Sequence, residues 1–458
     1  MNLPFSAAVA ATDATVLDAQ NAPASLRVVS DTRLLERGDA FLALRGERFD
    51  GHAFVREAVE RGAAALIVAD AAARVEGVTT LVVADALRAY MALAGASRDR
   101  FTGSVLAITG SAGKTTTKAF AAQLLAVRFG DRVLASPANE NNEIGVSKLL
   151  LSADNERHDV LVVEMGARHY NDIAPLVAIA RPHVGVLTNV GDAHLEIMGS
   201  RERLEETKWG LFSGGARAVL NAGDAASIQR APLLGAPAHW FFAAQAAADF
   251  PMHGRVTVLS GSRVLLDVDG ARDRAYDVDV RVPGLHNRSN VAAAIAAACE
   301  LGIPIDELVP ALPTLELPSG RYERMEIGGI TLIYDAYNAN AAGMFAALDA
   351  FAAERAERRI AVLGSMAELG AEAPDLHERV GAHAAERGCD VVLVGGDFAQ
   401  ALAAGAQRRG LPADRVVHFA SNAEAAAWLR AHARPGDAVL LKGSRKYRLE
   451  EIVKELRG

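Results

Sequence analysis

The sequence predicts an α/β protein of three domains whose sheets are mostly parallel. Its 458 residues are enough for about three domains at roughly 150 residues each. Short apolar runs of strand length alternate with helical stretches, a pattern typical of parallel sheets that helices cover on both faces. The composition, 51% hydrophobic and 23% charged, is that of an ordinary globular protein that can bury large cores.

The charge and the cysteines exclude several classes of protein. A net charge of −8 argues against a general nucleic-acid surface, so a phosphate site must concentrate positive charge locally. Cys299 and Cys389 lie in separate apolar contexts, which argues against a disulfide framework or a cysteine metal site and fits a reducing cytoplasm. The start of the chain lacks the basic segment of a signal peptide. The Ala-rich run 291–299 is too short to span a bilayer and predicts a buried helix.

The first predicted domain, residues 1–98, mixes short strands and helices. Its apolar runs predict strands at 64–68 and 80–83 and helices at 54–61 and 86–98. The polar stretch 97–104 precedes a fresh apolar run, and we interpret it as a linker.

The second predicted domain, residues 99–317, opens with a buried strand, a glycine-rich turn and a long helix that starts at Lys114. Its predicted strands are 105–108, 160–163, 184–187 and 218–220. Pro310, Pro313 and Pro318, together with Gly320, mark its end.

The third predicted domain, residues 318–458, repeats the alternation of strands and helices and reads as Rossmann-like. Its predicted strands are 331–334, 360–363, 391–394, 416–419 and 438–441, and Leu449, Ile452, Val453 and Leu456 form one apolar stripe of a closing helix. No G-x-G-x-x-G follows its first strand, so we predict no dinucleotide site there.

The most informative stretch is the turn from Gly110 to Thr116, between a predicted strand and a predicted helix. Glycines let several backbone N–H groups point inward, and the helix N-terminus adds positive potential. In such a phosphate-binding loop Lys114 contacts the nucleotide phosphates and the Thr115 hydroxyl binds Mg²⁺. The strict motif has Gly at position 108, where this chain has Ile. The alternative is an ordinary glycine-rich turn with a surface lysine.

Three further side chains follow or flank predicted strands. Glu164 ends the strand 160–163, and ligands gather at the carboxyl ends of strands in such sheets, so it can face the same crevice as Thr115. The alternative for Glu164 is a solvated loop residue. By themselves, His194 reads as a hydrogen-bonded structural residue and Lys208 as a helix-surface lysine paired with acids.

Taken together, these motifs resemble the Mur ligase family, most closely its MurF type, over nearly the whole chain and in the family's order. The blocks that carry the resemblance are SDTR (30–33), GDAFLALRGERFDGHAF (38–54), TGSAGKTTTK (109–118), NNEIG (141–145), VVEMGA (162–167), NVGDAHLE (189–196), GLHNRSNVAAA (284–294), SGRYE (319–323), YDAYNAN (334–340), VLGSMAELG (362–370) and LLKGSR (440–445). The resemblance implies an N-terminal α/β uridine-nucleotide domain, a central parallel-sheet ATPase domain and a C-terminal Rossmann-like domain. It implies ligation of D-alanyl-D-alanine to UDP-N-acetylmuramoyl-tripeptide through an acyl phosphate, giving the UDP-muramyl-pentapeptide precursor of peptidoglycan. We expect a cytoplasmic monomer.

The resemblance also implies roles for individual residues. The residues expected to bind ATP are Gly110, Ser111, Ala112, Gly113, Lys114, Thr115, Thr116, Asn287, Asn290, Arg321 and Asp335. Thr115 and Glu164 would hold one Mg²⁺ and His194 a second, with Lys208 carbamylated and facing the metal. Lys114, His194, Lys208 and Arg321 would act in catalysis. The residues expected to bind the uridine nucleotide are Asp31, Arg33, Arg48, Asp50 and His52. Asn141 and Asn142 are expected near the tripeptide, and Asn338 and Asn340 near the dipeptide.

Several of these assignments have simpler alternatives. Arg321 could be a linker arginine, Asp335 could cap the helix that begins near Ala341, and Asn287 could belong to an ordinary turn. The chain also departs from the family pattern. Ala341 replaces the proline after N-A-N, Ser365 replaces the acid of L-G-D-M, and Trp209 follows Lys208 where the family has glycine.

Two rival functions remain open at this point. A MurE-type ligase shares the first domain but carries a D-N-P-R run, which this chain lacks. A nucleotide-binding regulator that no longer ligates would explain Ser365 and Ala341.

Overall fold

A computed structural model describes residues 2–46, 49–191, 195–244, 255–261, 263–268 and 271–457. The first region forms a sheet in the order β2-β7-β6-β5-β4, parallel from β4 to β7 with β2 antiparallel at the edge. Its elements are β1 (Leu3–Pro4), α1 (Phe5–Thr12), β2 (Thr15–Leu17), β3 (Ser25–Leu26), β4 (Val28–Val29), β5 (Ala40–Leu42), α2 (Val55–Glu60), β6 (Ala65–Val68), β7 (Thr79–Val82) and α3 (Ala86–Arg100). The strands predicted at 64–68 and 80–83 are confirmed within one residue.

The prediction of a linker at 97–104 is wrong for its first half. Helix α3 continues to Arg100, and Ser97 and Arg98 are buried. The Arg98 guanidinium donates hydrogen bonds to the carbonyls of Ala180, Phe101 and Arg181 at 2.8, 3.0 and 3.2 Å. These polar side chains are buried because they satisfy carbonyls at the ends of neighbouring segments. Composition alone cannot distinguish such residues from a solvated linker.

The central region forms a sheet in the order β16-β15-β14-β13-β12-β11-β8-β10-β9. Its elements are β8 (Ser104–Thr109), α4 (Lys114–Phe129), β9 (Val133–Ala135), α5 (Glu143–Ser152), β10 (Val160–Glu164), α6 (Ile173–Ala180), β11 (Val184–Leu187), α7 (Leu195–Met198), α8 (Arg201–Trp209), β12 (Arg217–Asn221), α9 (Ala225–Arg230), β13 (His239–Ala244), β14 (Arg255–Ser260), β15 (Arg263–Val268), β16 (Ala271–Asp277), α10 (Leu285–Glu300) and α11 (Ile305–Leu308). The sheet is parallel from β9 to β14 and antiparallel from β14 to β16. The four predicted strands are confirmed as β8, β10, β11 and β12.

Helices cover both faces of this sheet, as the buried runs require. The Ala-rich run is confirmed as the buried part of α10, where every residue from Val291 to Cys299 is less than 9% exposed. On the other face, α3 packs into a core that it shares with α5 and α6, through Leu93, Leu150 and Leu176 among others. The first and central regions therefore bury apolar surface against each other. No described helix combines the length and the apolarity that a bilayer crossing requires.

The third region is a sheet in the order β17-β18-β22-β19-β20-β21 with helices on both faces. Its elements are β17 (Glu323–Ile327), β18 (Ile330–Tyr334), α12 (Ala341–Ala352), β19 (Arg359–Gly364), α13 (Ala373–Glu386), β20 (Val391–Gly395), α14 (Ala399–Arg408), β21 (Val416–Phe419), α15 (Asn422–His432), β22 (Ala438–Lys442) and α16 (Glu450–Arg457). The sheet is parallel except for β17, which pairs with β18 as an antiparallel hairpin. The predicted α/β fold class of three parallel-sheet units is confirmed.

Candidate active site

The glycine-rich turn between β8 and α4 has the geometry of a phosphate-binding loop. Gly113 adopts φ +83° immediately before α4, and a Cβ there would lie 2.5 Å from Asn290 Oδ1. Lys114 begins α4, and its ammonium donates to the carbonyl of Gly110 at 2.8 Å. Burial lowers the pKa of Lys114, against the opposing effect of the Glu164 carboxylate. The lysine therefore lies at the N-terminus of α4, where an anion is favoured.

Two residues that follow β11 brace this loop. Thr188 Oγ1 donates to the carbonyl of Ala112 at 2.6 Å. Asn189 accepts from the Ala112 amide at 3.1 Å through its side chain and from the Ser111 amide at 2.9 Å through its carbonyl. Neither Thr188 nor Asn189 was predicted as a site residue from the sequence. The only signal was the position of Asn189 at the start of the NVGDAHLE block.

Glu164 lies at the carboxyl end of β10, beside the start of α4, and is 1% exposed. Thr115 Oγ1 and Asn141 Nδ2 donate to its Oε1 at 3.2 and 2.8 Å. The Lys118 ammonium lies 3.0 Å from its Oε2, although that oxygen accepts no hydrogen bond of good geometry. The ammonium still attracts this oxygen, because charge attraction depends little on angle.

This carboxylate and hydroxyl fit a magnesium ion that is bound together with a nucleotide. Mg²⁺ is held in such sites by one or two carboxylates, with phosphates and waters as the other ligands. In the described part of the chain no group of three or more His, Cys, Asp or Glu side chains could hold a metal alone. The second predicted metal ligand, His194, lies outside the described residues.

Lys208, near the end of α8, is 1% exposed. Burial, reinforced by the positive charge of Lys114 and opposed by Asp172, lowers the pKa of Lys208 to about 7. The sequence reading of a surface lysine is therefore wrong, since the side chain faces the interior beside the phosphate loop. A lysine with this pKa is a neutral amine for much of the time at neutral pH.

The third region contributes side chains to the same site. The Arg321 guanidinium lies 4.5 Å from the centre of the Tyr337 ring, and Asp335 forms an ion pair of 2.9 Å with Lys442. Burial lowers the pKa of Lys442, and Asp335 opposes this effect. Asp335 does not cap α12, because Asn340 occupies that position and accepts from the Gly343 amide at 2.8 Å. Lys442 was not assigned a role from the sequence.

One cavity of about 130 Å³ joins these groups from the central and third regions. Its lining includes Ser111, Ala112, Gly113, Lys114, Thr115, Thr116, His286, Asn287, Asn290, Arg321, Asp335, Asn338, Ala339, Asn340, Gly343 and Lys442. Thr117 Oγ1 donates to Asn290 Oδ1 at 3.2 Å, which ties α10 to the phosphate loop. The structure therefore brings most of the predicted nucleotide residues and both predicted dipeptide residues to one place. Gly110 is not part of this lining, but its carbonyl accepts a hydrogen bond from the Lys114 ammonium.

A larger cleft of about 1450 Å³ lies between the first and central regions. Of the residues predicted for the uridine nucleotide and the tripeptide, Asp31, Arg33 and Asn142 line it. Arg33 binds Asp31 through a 2.6 Å ion pair, and this contact lowers the pKa of Asp31 to about 2.

The other predicted substrate residues make contacts elsewhere. Asp50 accepts from Arg45 and from the ring of His52, both at 2.6 Å. His52 in turn accepts from the Ala69 amide at 3.1 Å through Nε2. Asn141 faces Glu164, and Arg48 lies outside the described residues.

The departures from the family pattern have local explanations. Ser365 is fully buried, donates to the carbonyl of Gly395 at 3.1 Å and accepts from the amide of Phe398 at 2.9 Å. Ser365 therefore joins the ends of β19 and β20 and is not aimed at the cavity. Ala341 is the first residue of α12, a position where proline is favoured but its missing N–H is not required.

Comparison with known proteins gives a consistent match along the chain. The sequence profile of the Mur ligase family catalytic domain matches residues 27–97. The Mur ligase middle domain matches residues 108–298, and the Mur ligase glutamate ligase domain matches residues 320–445.

Individual relatives agree with these profiles. A UDP-N-acetylmuramoyl-tripeptide–D-alanyl-D-alanine ligase of Synechocystis is 37% identical, over 94% of this chain and 91% of its own length. The ligase of the same name from Escherichia coli is 34% identical, over 94% of this chain and 93% of its own length. The crystal structure of MurF from Acinetobacter baumannii superposes with a TM-score of 0.87 at 28% identity, covering 100% of this chain and 99% of its own. MurF from Thermotoga maritima in complex with ADP superposes with a TM-score of 0.78 at 27% identity, covering 94% of this chain and 97% of its own.

Proposed function

The chain belongs to the Mur ligase family, and from this premise we propose that it joins D-alanyl-D-alanine to UDP-N-acetylmuramoyl-tripeptide with ATP. The observation that carries the proposal is the single cavity in which the phosphate loop meets Arg321, Asp335 and Lys442 of the third region. A ligase needs such a cavity, because nucleotide, acid and amine must be aligned together and shielded from water. The product is the pentapeptide precursor of peptidoglycan.

The chemistry requires activation, because a carboxylate does not condense with an amine in water. An oxygen of the tripeptide's terminal carboxylate attacks the γ-phosphorus of ATP, ADP leaves, and an acyl phosphate remains. The free amine of the dipeptide then attacks the acyl carbon through a tetrahedral intermediate and loses a proton. Phosphate leaves as the amide forms. Each step changes charge on phosphoryl or acyl oxygens, where fixed cations lower the barrier most.

The residues of the cavity supply these cations. Lys114 and Arg321 neutralise the phosphoryl group in transfer, and Arg321 is well suited because its buried Nε has no hydrogen-bond partner among the described residues. When bound, Mg²⁺ held by Thr115 and Glu164 polarises the phosphate oxygens. His194 serves a second Mg²⁺.

Lys208 acts as a carbamate in this proposal. Its pKa of about 7 supports the assignment, since the neutral amine is the form that adds to CO₂. The resulting anion would lie beside Lys114, which favours negative charge at this position. Lys208 as a carbamate then faces the second metal.

The remaining assignments concern binding. Asn287 and Asn290 hold the adenine side of the nucleotide and Asp335 its ribose, while Asn338 and Asn340 meet the dipeptide. Asn141 and Asn142 lie near the tripeptide, and Asp31, Arg33, Arg48, Asp50 and His52 serve the uridine-nucleotide end. We assign these functions to domains at 1–98, 99–317 and 318–458 of a cytoplasmic monomer.

Omitting each substrate in turn tests the proposal. Phosphate release and pentapeptide formation are measured with ATP, the UDP-tripeptide and the dipeptide, and the tripeptide is supplied with either diaminopimelate or lysine at its third position. We expect sustained phosphate release only when all three substrates are present. Lys114→Ala should reduce ligation by at least about a thousandfold while the UDP-tripeptide still binds. Phosphate release without the dipeptide would support an uncoupled NTPase instead. The absence of any phosphate release would support a regulator.

A further inference from the structure

A buried lysine of α4 contacts the carboxylate that we assign to Mg²⁺. Lys118 lies one helical turn beyond Lys114 and is 5% exposed. Its ammonium lies 3.0 Å from Glu164 Oε2 and donates to the carbonyl of Ala138 at 2.5 Å. Lys118 is not among the described residues that line the nucleotide cavity, and the carboxylate that its ammonium contacts is that of Glu164.

The Glu164 carboxylate is surrounded by donors. Thr115 and Asn141 donate to Oε1, and Lys118 faces Oε2. The Glu164 amide donates to Ser136 Oγ at 3.0 Å, which fixes the backbone at the same point. A divalent cation that reached this site alone would meet a carboxylate whose charge is already neutralised, and a threonine hydroxyl whose proton points at that carboxylate.

A nucleotide changes this balance. Its phosphates bring several negative charges to the phosphate loop, next to Thr115, and these charges outweigh the single charge of Lys118. In a site of low effective dielectric constant, repulsion by a nearby ammonium weakens the binding of a divalent cation at least about tenfold. The metal can therefore bind well only when phosphates arrive with it.

We propose that Lys118 is a positioning residue that acts as the internal counter-ion of Glu164, and that it keeps the metal site closed to a bare divalent cation until the nucleotide is present. This inference rests on the proposed role of Glu164 as a Mg²⁺ ligand. It gives the enzyme a binding order in which metal and nucleotide enter together. A buried ion pair with only a structural role would affect folding stability and leave metal affinity unchanged.

Binding of Mn²⁺, followed by electron paramagnetic resonance, tests the inference on the full-length protein. Affinity for Mn²⁺ is measured without nucleotide and with a non-hydrolysable ATP analogue, for wild type, Lys118→Met and Lys118→Gln. Lys118→Arg retains the charge. Arg358→Met is the matched control, because it breaks another short pair with a buried carboxylate, Arg358–Asp437 at 2.6 Å, away from the site.

We expect Lys118→Met to bind Mn²⁺ without nucleotide at least about tenfold more tightly than wild type. The double variant Lys118→Met/Glu164→Gln should lose this gain, and Lys118→Arg and Arg358→Met should match wild type. Lys118→Gln serves if the methionine variant does not fold. Unchanged affinity in both neutral variants would overturn the role of Lys118 and leave the proposed function standing. If Glu164→Gln does not weaken Mn²⁺ binding in the presence of the ATP analogue, the assignment of Glu164 itself fails.

Discussion

Lys208 is buried near Lys114, and its burial is the main influence on its protonation. Burial is the larger effect and the charge of Lys114 the second, and together they bring the pKa of Lys208 to about 7. In the unfolded chain this lysine has a pKa near 10.5. Folding therefore works against protonation of Lys208, and the protein retains an unfavourable buried amine where an apolar side chain would fit.

We expect Lys208→Met, in buffer free of CO₂, to raise the melting temperature by about 2 °C or more while it abolishes ligation. As the pH falls from about 10.5 towards 7, the unfolded chain takes up a proton on Lys208 that the folded chain does not accept, so wild type loses stability. The advantage of the variant is therefore greatest at and below about pH 7 and shrinks as the pH rises. Calorimetry of both proteins at about pH 7 and about pH 9 measures it. A variant less stable than wild type at the lower pH would contradict the burial argument.

Local pattern alone predicted Lys114, and the family resemblance supplied residues with distant partners such as Asp335, but Lys118 and Lys442 were missed. Lys114 was predicted because its turn and helix are adjacent in the chain. Lys118 and Lys442 were not, because their carboxylate partners, Glu164 and Asp335, come from other strands. A lysine in a helix or after a strand has no local signal that tells a buried counter-ion from a solvated charge.

At the scale of elements, the phosphate loop depends on a close approach between two helices. Gly113 starts α4 with a positive φ, and Asn290 of α10 lies against the space that a side chain would need. Asn290 also accepts from Thr117 of α4. The packing of α10 on α4 and the shape of the loop are therefore set by the same glycine.

We expect Gly113→Ala to weaken ATP binding at least about tenfold and to lower stability by about 1–2 kcal/mol. The methyl group must displace Asn290 and the residue must also adopt a left-handed conformation. Gly130→Ala is the matched control at the other end of α4, because Gly130 also has a positive φ but no atom lies within 4 Å of its Cβ position. Isothermal titration with an ATP analogue and thermal unfolding compare the two. Equal losses of ATP affinity would show that backbone strain, and not the clash, is responsible.

Only some of the missed strands differ in pattern from the predicted ones. Continuous apolar runs such as 160–163 identify strands that are buried on both faces of a parallel sheet. The strand β17 alternates intermediate and exposed residues, and β14 to β16 form antiparallel hairpins at one edge of the central sheet. The apolar signal of β17 is therefore weak, whereas β5, β13 and β14 are mostly buried and were missed despite their apolar residues.

At the scale of the whole molecule, the site exists only where regions meet. The central region supplies the phosphate loop, and the third region supplies Arg321, Asp335 and Lys442 to the same cavity. The first and central regions enclose the larger cleft over a shared apolar core. Sequence motifs predicted which residues belong together, but the distances between regions depend on packing that no single segment encodes.

One exposed ion pair bridges the central and third regions. Arg168, which follows β10, binds Glu368, which follows β19, at 2.6 Å. The side chains are 66% and 36% exposed, and an exposed pair of this kind contributes about 1 kcal/mol at most. That is too little to matter for folding, but it is enough to shift an equilibrium between open and closed arrangements.

Reversing the charge of Arg168 alone should therefore change binding of the dipeptide more than it changes stability. We expect Arg168→Glu to raise the KM for D-alanyl-D-alanine by up to about fivefold, which corresponds to roughly 1 kcal/mol, with the melting temperature within about 1 °C of wild type. The double variant Arg168→Glu/Glu368→Arg should restore the KM, because the attraction returns with the charges exchanged. Steady-state kinetics at low ionic strength, where surface charges are least screened, measure both. A double variant that is no better than Arg168→Glu alone would mean that the two regions close without help from this pair.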